Sequence, residues 1–176
     1  SRKNLRNAMN RLRTAHGVID ESIIDTPDAL APIVRDTYEG RVEWMRTHGK
    51  STNAFRDATF RPLVKGLCQA PNLRLLGFQM HAFGAAIASQ WGFVHGGRYY
   101  AYMSARETGY DEFSPGRLHL GSVIAGCKAR GIDIVELMAP AARYKLMWSG
   151  RVMGIHDMWI PMSLRGRVAM AAQDAI

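Results

Sequence analysis

The strongest constraint on this chain lies at Ser114-Pro115-Gly116, where a strand-forming run meets a helix-forming run across a loop. Upstream, Tyr99 to Ala105 is dominated by aromatic strand formers. Downstream, the residues to Arg130 read as loop and helix, and Gly131 stands in the position where glycine closes helices. Ile132 to Leu137 follows as a further strand. Within the turn, Ser114 can cap the helix, Pro115 is preset for its first turn, and Gly116 removes a side chain from its N-terminus. A bare helix N-terminus presents unpaired N–H groups and the positive end of the helix dipole, which suits a pyrophosphate. Arg117 can add a charge-assisted contact, and Leu118 and His119 follow in the same opening stretch.

The rest of the sequence supplies the frame around this unit. Residues 3–15 form a basic amphipathic helix with Leu5, Ala8, Met9 and Leu12 on one face. A short strand is expected at Val18 to Ile24. Thr26-Pro27 then opens a helix running to about Arg46, with Leu30, Ile33, Val34, Tyr38 and Val42 on one side. A polar loop spans Thr47 to Asn53, and a single helix is expected from Ala54 to Gln69. Leu73 to Met80, Ala85 to Val94 and Tyr99 to Ala105 then form an antiparallel meander, with Gly96-Gly97 as a hairpin turn. Pro140 to Trp148 reads as a loop and short helix, Val152 to Met162 as another strand, and the Ala-rich stretch from Arg165 as a helix. Helices, a meander and a strand–helix–strand unit together specify one mixed α/β domain over residues 1–176. The chain begins at Ser1 rather than Met, so a longer parent chain stays open.

Bulk properties narrow the function classes. The 176 residues are 47% apolar and 22% charged, enough for a core in one ordinary domain. No apolar run reaches the roughly 18 residues of a membrane span. Cys68 and Cys127 stand apart from each other and from any metal-type pair, which points to a reducing cytoplasm and no disulfide framework. The six histidines show no ligand spacing, so no bound metal is expected. Lysine and arginine number 23 against 15 acids, a net +8 that favours anionic partners. Charge alone does not separate a nucleotide cofactor from RNA.

The order of motifs is more specific than any one of them. Tyr102, Ser114-Pro115-Gly116, Gly131, Glu136 and Tyr144-Lys145-x-x-Trp148 appear in sequence. In this order the chain resembles the acetyltransferase-like domain of the GNAT superfamily. It is most similar to the branch found in bacterial polysaccharide-biosynthesis proteins, related to FemAB-type peptidyltransferases. Two departures stand out: Pro140 and Ala141 occupy places where that branch has Gly and an acid, and the superfamily's Arg/Gln-x-x-Gly-x-Gly/Ala loop is absent. The resemblance implies a largely antiparallel central sheet with helices on both faces. It also implies direct acyl transfer from acetyl-CoA or another acyl-CoA to an amine or hydroxyl of a small-molecule or saccharide acceptor. Backbone N–H groups would polarise the thioester carbonyl while positioning does much of the work. Ser114, Gly116, Arg117, Leu118 and His119 would meet the cofactor. Glu136 would serve as base and Tyr144 as donor to the leaving sulfur. Lys145, Trp148 and Tyr102 would meet the acceptor.

Each of these residues also has an ordinary alternative: Glu136 as an acid facing solvent, Tyr144 as a packed ring, Lys145 as a surface lysine and Trp148 as a cavity wall. Other readings share the fold. One uses aminoacyl-tRNA as donor, against which a single domain counts. Another is a binding module that has lost catalysis, which the missing acid near Pro140-Ala141 keeps open. An RNA-binding role would need aromatic and basic residues interleaved on a sheet face, which Tyr99, Tyr100 and Tyr102 offer only faintly.

Overall fold

The computed structural model describes residues 2–156 and 160–173. Its centre is a five-stranded sheet in the order β1-β2-β3-β4-β5, formed by Ile19–Ile24, Leu75–Ala82, Ala85–His95, Arg98–Arg106 and Ile134–Glu136. The first four strands are antiparallel to their neighbours, and β5 pairs parallel to β4. Helices α1 (Arg2–His16), α2 (Pro27–Thr47), α3 (Asn53–Arg56), α4 (Phe60–Gly66), α5 (Pro115–Ala129), α6 (Arg143–Trp148) and α7 (Leu164–Gln173), with 3-10 turns at Leu67–Gln69 and Thr108–Phe113, complete the described elements. The mixed, largely antiparallel fold expected from the sequence is therefore the one formed. The hairpin at Gly96-Gly97 has both residues at positive φ, as a two-residue hairpin turn requires.

β2 is covered on both faces over Leu75 to Phe78, and half-buried Gln79 and His81 interrupt its apolar run only toward its end. Leu75 packs with Leu30, Ile33 and Val34 of α2, whereas Leu76 and Phe78 pack with Val123 and Cys127 of α5. Met80 joins Leu12 of α1 and Leu118 of α5 in a third cluster. Period-2 alternation thus sends successive side chains to opposite layers. One buried polar link fixes α2 against the sheet. Trp91 Nε1 donates to Thr37 Oγ1 at 2.8 Å, and that hydroxyl donates back to the Ile33 carbonyl at 2.7 Å. Both residues are fully buried, so breaking the link would leave an unpaired polar group at a cost of about 1–3 kcal/mol.

Two expected elements differ. The single helix over 54–69 is split into α3, α4 and a 3-10 turn at Leu67–Gln69. Pro62 has no amide to donate and is tolerated only in a first turn, where it sits in α4. Asp57 adopts extended backbone before it, and its carboxylate accepts from the Thr59 amide at 2.8 Å just ahead of the restart. The strand expected over 152–162 is absent from residues 152–156 and 160–162, and residues 157–159, with Trp159, lie outside the described set. Val152, Ile155, Ile160 and Met162 stay exposed instead of joining the sheet. Among the described residues no helix is long and apolar enough to cross a membrane.

Candidate active site

The site begins with a break in strand pairing. β5 stays beside β4 only from Arg98↔Ile134 to Tyr100↔Glu136, after which β4 runs on alone to Arg106. On its other side β4 carries a bulge. Trp91 opposes Met103 and Gly92 opposes Ala101, which leaves Tyr102 as the extra residue. Only glycine fits at Gly92, where a Cβ would stand 2.0 Å from the Tyr100 carbonyl oxygen. The bulge bends the strand where the pairing with β5 stops. The edge of residues 101–106 that faces away from β3 carries no sheet partner among the described residues. It lines a cleft of about 950 Å³.

One wall of the cleft is the start of α5. Ser114 sits at φ 54, ψ 56 and makes no side-chain cap bond, so the serine cap expected from the sequence does not form. Instead its carbonyl accepts from the amides of Arg117 and Leu118, at 3.0 and 3.2 Å. Pro115 has no N–H, which leaves the Gly116 amide as the unpaired donor at this helix end among the described residues. A Cβ at Gly116 would meet only Arg106 Cδ, at 3.5 Å, so glycine here leaves the amide open rather than relieving a clash. Arg106 pairs with Asp111, and Ser114, Gly116 and Arg117 line the cleft beside them. Leu118 points elsewhere: it is buried against α1 in the core, with its amide spent on Ser114.

His119, the fifth residue of α5, reaches the cleft from below. It is 3% exposed, and neither ring nitrogen has a partner among the described residues. Burial lowers its pKa to about 4, so the ring is neutral at ordinary pH. Gln90 on β3 also lines the cleft and leaves its buried Nε2 unpaired. Buried polar atoms without partners are uncommon in folded proteins. Here two such side chains share the wall of one cleft.

The opposite wall comes from α2 and α6. Gly40 lets α2 close on β4, because its Cβ position is 2.9 Å from Ala105 Cβ. The next residue, Arg41, holds its guanidinium 4.7 Å from the Trp44 ring centroid, and both line the cleft. Tyr144 and Lys145 of α6 face them. Burial pushes the Tyr144 phenol up, so it stays protonated at neutral pH. Burial and then Arg41 lower Lys145, whose Nζ donates to the Met138 carbonyl at 2.9 Å. Tyr102 joins this cleft at the bulge, its ring tilted against Trp91 at 5.0 Å.

Besides Leu118, two more expected residues lie off the cleft. Glu136 accepts from Arg98 Nη1 at 2.6 Å across the β4–β5 pair and is not part of the lining. Trp148 packs toward α5, where a Cβ at Gly121 would lie 3.4 Å from its ring. Arg41 and Gln90 also line the cleft, though no local pattern in the sequence marks either as a site residue. Arg41 stands three residues before Trp44 on a helix, a spacing that permits the cation–π contact but is equally that of a solvated face.

The profile of the Acetyltransferase (GNAT) domain matches residues 1–146. This chain belongs to the GNAT acetyltransferase family. Two solved relatives share the fold at low identity, both aminoglycoside acetyltransferases from an uncultured soil metagenomic sample. One, with sisomicin bound, is 13% identical with a TM-score of 0.53, covering 81% of this chain and 97% of its own. The other is 12% identical with a TM-score of 0.50, covering 83% of this chain and 99% of its own. No curated protein is significantly similar to the chain.

GNAT acetyltransferases typically use an acyl-CoA, and the residues present fit one. An unpaired strand edge suits the amides of an extended pantetheine arm, and the open Gly116 amide with Arg106 and Arg117 suits a pyrophosphate.

Proposed function

We propose that this GNAT acetyltransferase takes its acyl group from acetyl-CoA or another acyl-CoA and transfers it directly to an amine or hydroxyl of a saccharide. The observation that carries this reading is the cleft where β4 outruns β5, with a helix N-terminus on one wall and Tyr144 and Lys145 on the other. The cofactor would supply an acyl group already activated as a thioester. Ser114, Gly116 and Arg117 would hold its phosphates, with His119 beside them, and the free edge of β4 would orient the arm and polarise the carbonyl. Tyr144 Oη keeps a proton at neutral pH for the departing sulfur. Lys145 and Tyr102 would border the acceptor.

The reading leans on positioning rather than on a carboxylate base: the nucleophile's proton would leave to solvent through the open cleft, while Tyr144 would give its proton to the thiolate and regain one from solvent. Glu136 is engaged by Arg98 and Asp111 by Arg106, so neither is free to take the nucleophile's proton in this arrangement. The order of Ser114-Pro115-Gly116, Gly131 and Tyr144-Lys145-x-x-Trp148 supports a place in the polysaccharide-biosynthesis branch, with an acceptor in envelope or exopolysaccharide synthesis. Thermal unfolding with coenzyme A, acetyl-CoA and tRNA tests the donor. Acetyl-CoA should raise the melting temperature and tRNA should not. A rise with tRNA alone would favour an aminoacyl-tRNA donor, and no rise with any of them would favour a binding module.

A further inference from the structure

We propose that the acceptor carries an anionic group, a phosphate or carboxylate, which Arg41 and Lys145 hold on the α2–α6 wall, and that polycationic acceptors are disfavoured. This rests on the acyltransferase reading of the cleft and narrows its acceptor. Among the described residues, Arg41, Arg106, Arg117 and Lys145 line the cleft, against a single acid, Asp111. Asp111 is already bonded to Arg106 on the α5 wall. The α2–α6 wall is therefore cationic without a counter-charge.

The local acids do not correct this. Glu39 and Glu43 flank Arg41 along α2, but Glu39 pairs with Arg61 and Glu43 with Arg46, which it meets at 2.6 Å. Arg41 makes no salt bridge among the described residues, and the Trp44 ring beneath it holds its guanidinium in place. Lys50 approaches the same ring, its Nζ 5.2 Å from the centroid, and adds to the positive field. Lys145 spends one N–H on the Met138 carbonyl and keeps two for a ligand. Arg41 and Lys145 also disfavour each other's charge, since Arg41 helps to lower the lysine's pKa. An anion between them relieves that repulsion, whereas an ammonium-rich acceptor adds to it.

The distribution along the cleft separates this role from cofactor phosphate binding. Arg106 and Arg117 belong to the wall with the open helix N-terminus, while Arg41 and Lys145 sit beside Tyr144, the group placed at the leaving sulfur. A charge held there belongs to the acceptor half of the cleft.

Calorimetry on the full chain saturated with coenzyme A tests this, with glucosamine 6-phosphate, glucuronic acid, glucosamine and sisomicin as probes. At least one anionic saccharide should bind about tenfold tighter than glucosamine, and sisomicin should bind more weakly than glucosamine. The tighter of the two anions identifies the group as phosphate or carboxylate. High salt and Arg41→Gln should each collapse the preference. Arg41 is exposed, so that variant should fold, and coenzyme A should still raise its melting temperature. If neither anionic probe binds more tightly than glucosamine, or if Arg41→Gln keeps the full preference, the proposal fails. Absence of any response to coenzyme A in the unsubstituted chain would instead overturn the acyltransferase reading beneath it.

Discussion

The two walls of the cleft are built on different principles. The α5 wall relies on backbone: an open amide at Gly116, the end of a helix dipole, and a strand edge left free by β5. The α2–α6 wall relies on side chains: Arg41 held on Trp44, Lys145 fastened to Met138, and Tyr144 half exposed at 49%. Backbone features follow from the fold and suit a ligand with fixed chemistry. Exposed helix side chains can change without altering the sheet, which suits selection of an acceptor. On the proposed function, the cofactor belongs to one wall and specificity to the other.

The harshest way to break this comparison is to damage both walls at once. Gly92→Ala would drive a Cβ into the Tyr100 carbonyl and disturb the bulge on which the cleft depends. Urea denaturation should show a loss of more than about 3 kcal/mol, or no folded protein at all. A change below about 0.5 kcal/mol would mean that the bulge relaxes freely.

His119 sharpens the account of the cleft's buried side. Its pKa of about 4 in the folded state lies below the ordinary 6.5. The unfolded chain therefore binds the proton first, and stability falls as pH drops from about 6.5 toward 4. The loss attributable to this ring approaches about 3 kcal/mol at the low end. Denaturation of His119→Gln across that window should show a shallower pH dependence than the unsubstituted chain. An identical slope would mean that His119 is not buried as a neutral ring.

The walls separate by function in single variants. Gly116→Leu should fold, because the space beside it is open, yet weaken acetyl-CoA binding at least about tenfold by calorimetry. Tyr144→Phe should bind acetyl-CoA normally and lower kcat by about 10–100-fold in a thiol-release assay. Equal affinity in Gly116→Leu would remove the backbone wall from cofactor binding. The smallest effect is expected at Glu136→Gln, with kcat within a few-fold of the unsubstituted enzyme. A loss of about 100-fold or more would restore the carboxylate as base.

What the sequence disclosed divides along the same line. The strand, turn and helix around Ser114-Pro115-Gly116 are local, so residue types and spacing revealed them. The conformation within the turn was less legible: Ser114 takes the left-handed region and offers its carbonyl, not its hydroxyl. The bulge at Tyr102 depends on the register between β3 and β4, which no local pattern encodes. Arg41 was unreadable as a cleft residue because its role comes from α6, about a hundred positions away. Glu136 shows the converse. Its place in a strand was clear, but its partner Arg98 appears only once β5 lies parallel to β4. The break between α3 and α4, by contrast, has a local signal in Pro62, a residue without an amide that is tolerated only in a first turn and so sets where the helix restarts.

The central claim is that the open end of α5 and the free edge of β4 hold the acyl donor. Amide NMR of the labelled chain tests it most directly, with acetyl-CoA added in steps. The account predicts saturable shifts at the Gly116 amide and at amides within residues 101–106, with those of β1 unmoved. Unchanged Gly116 and β4 amides at saturating acetyl-CoA would contradict it.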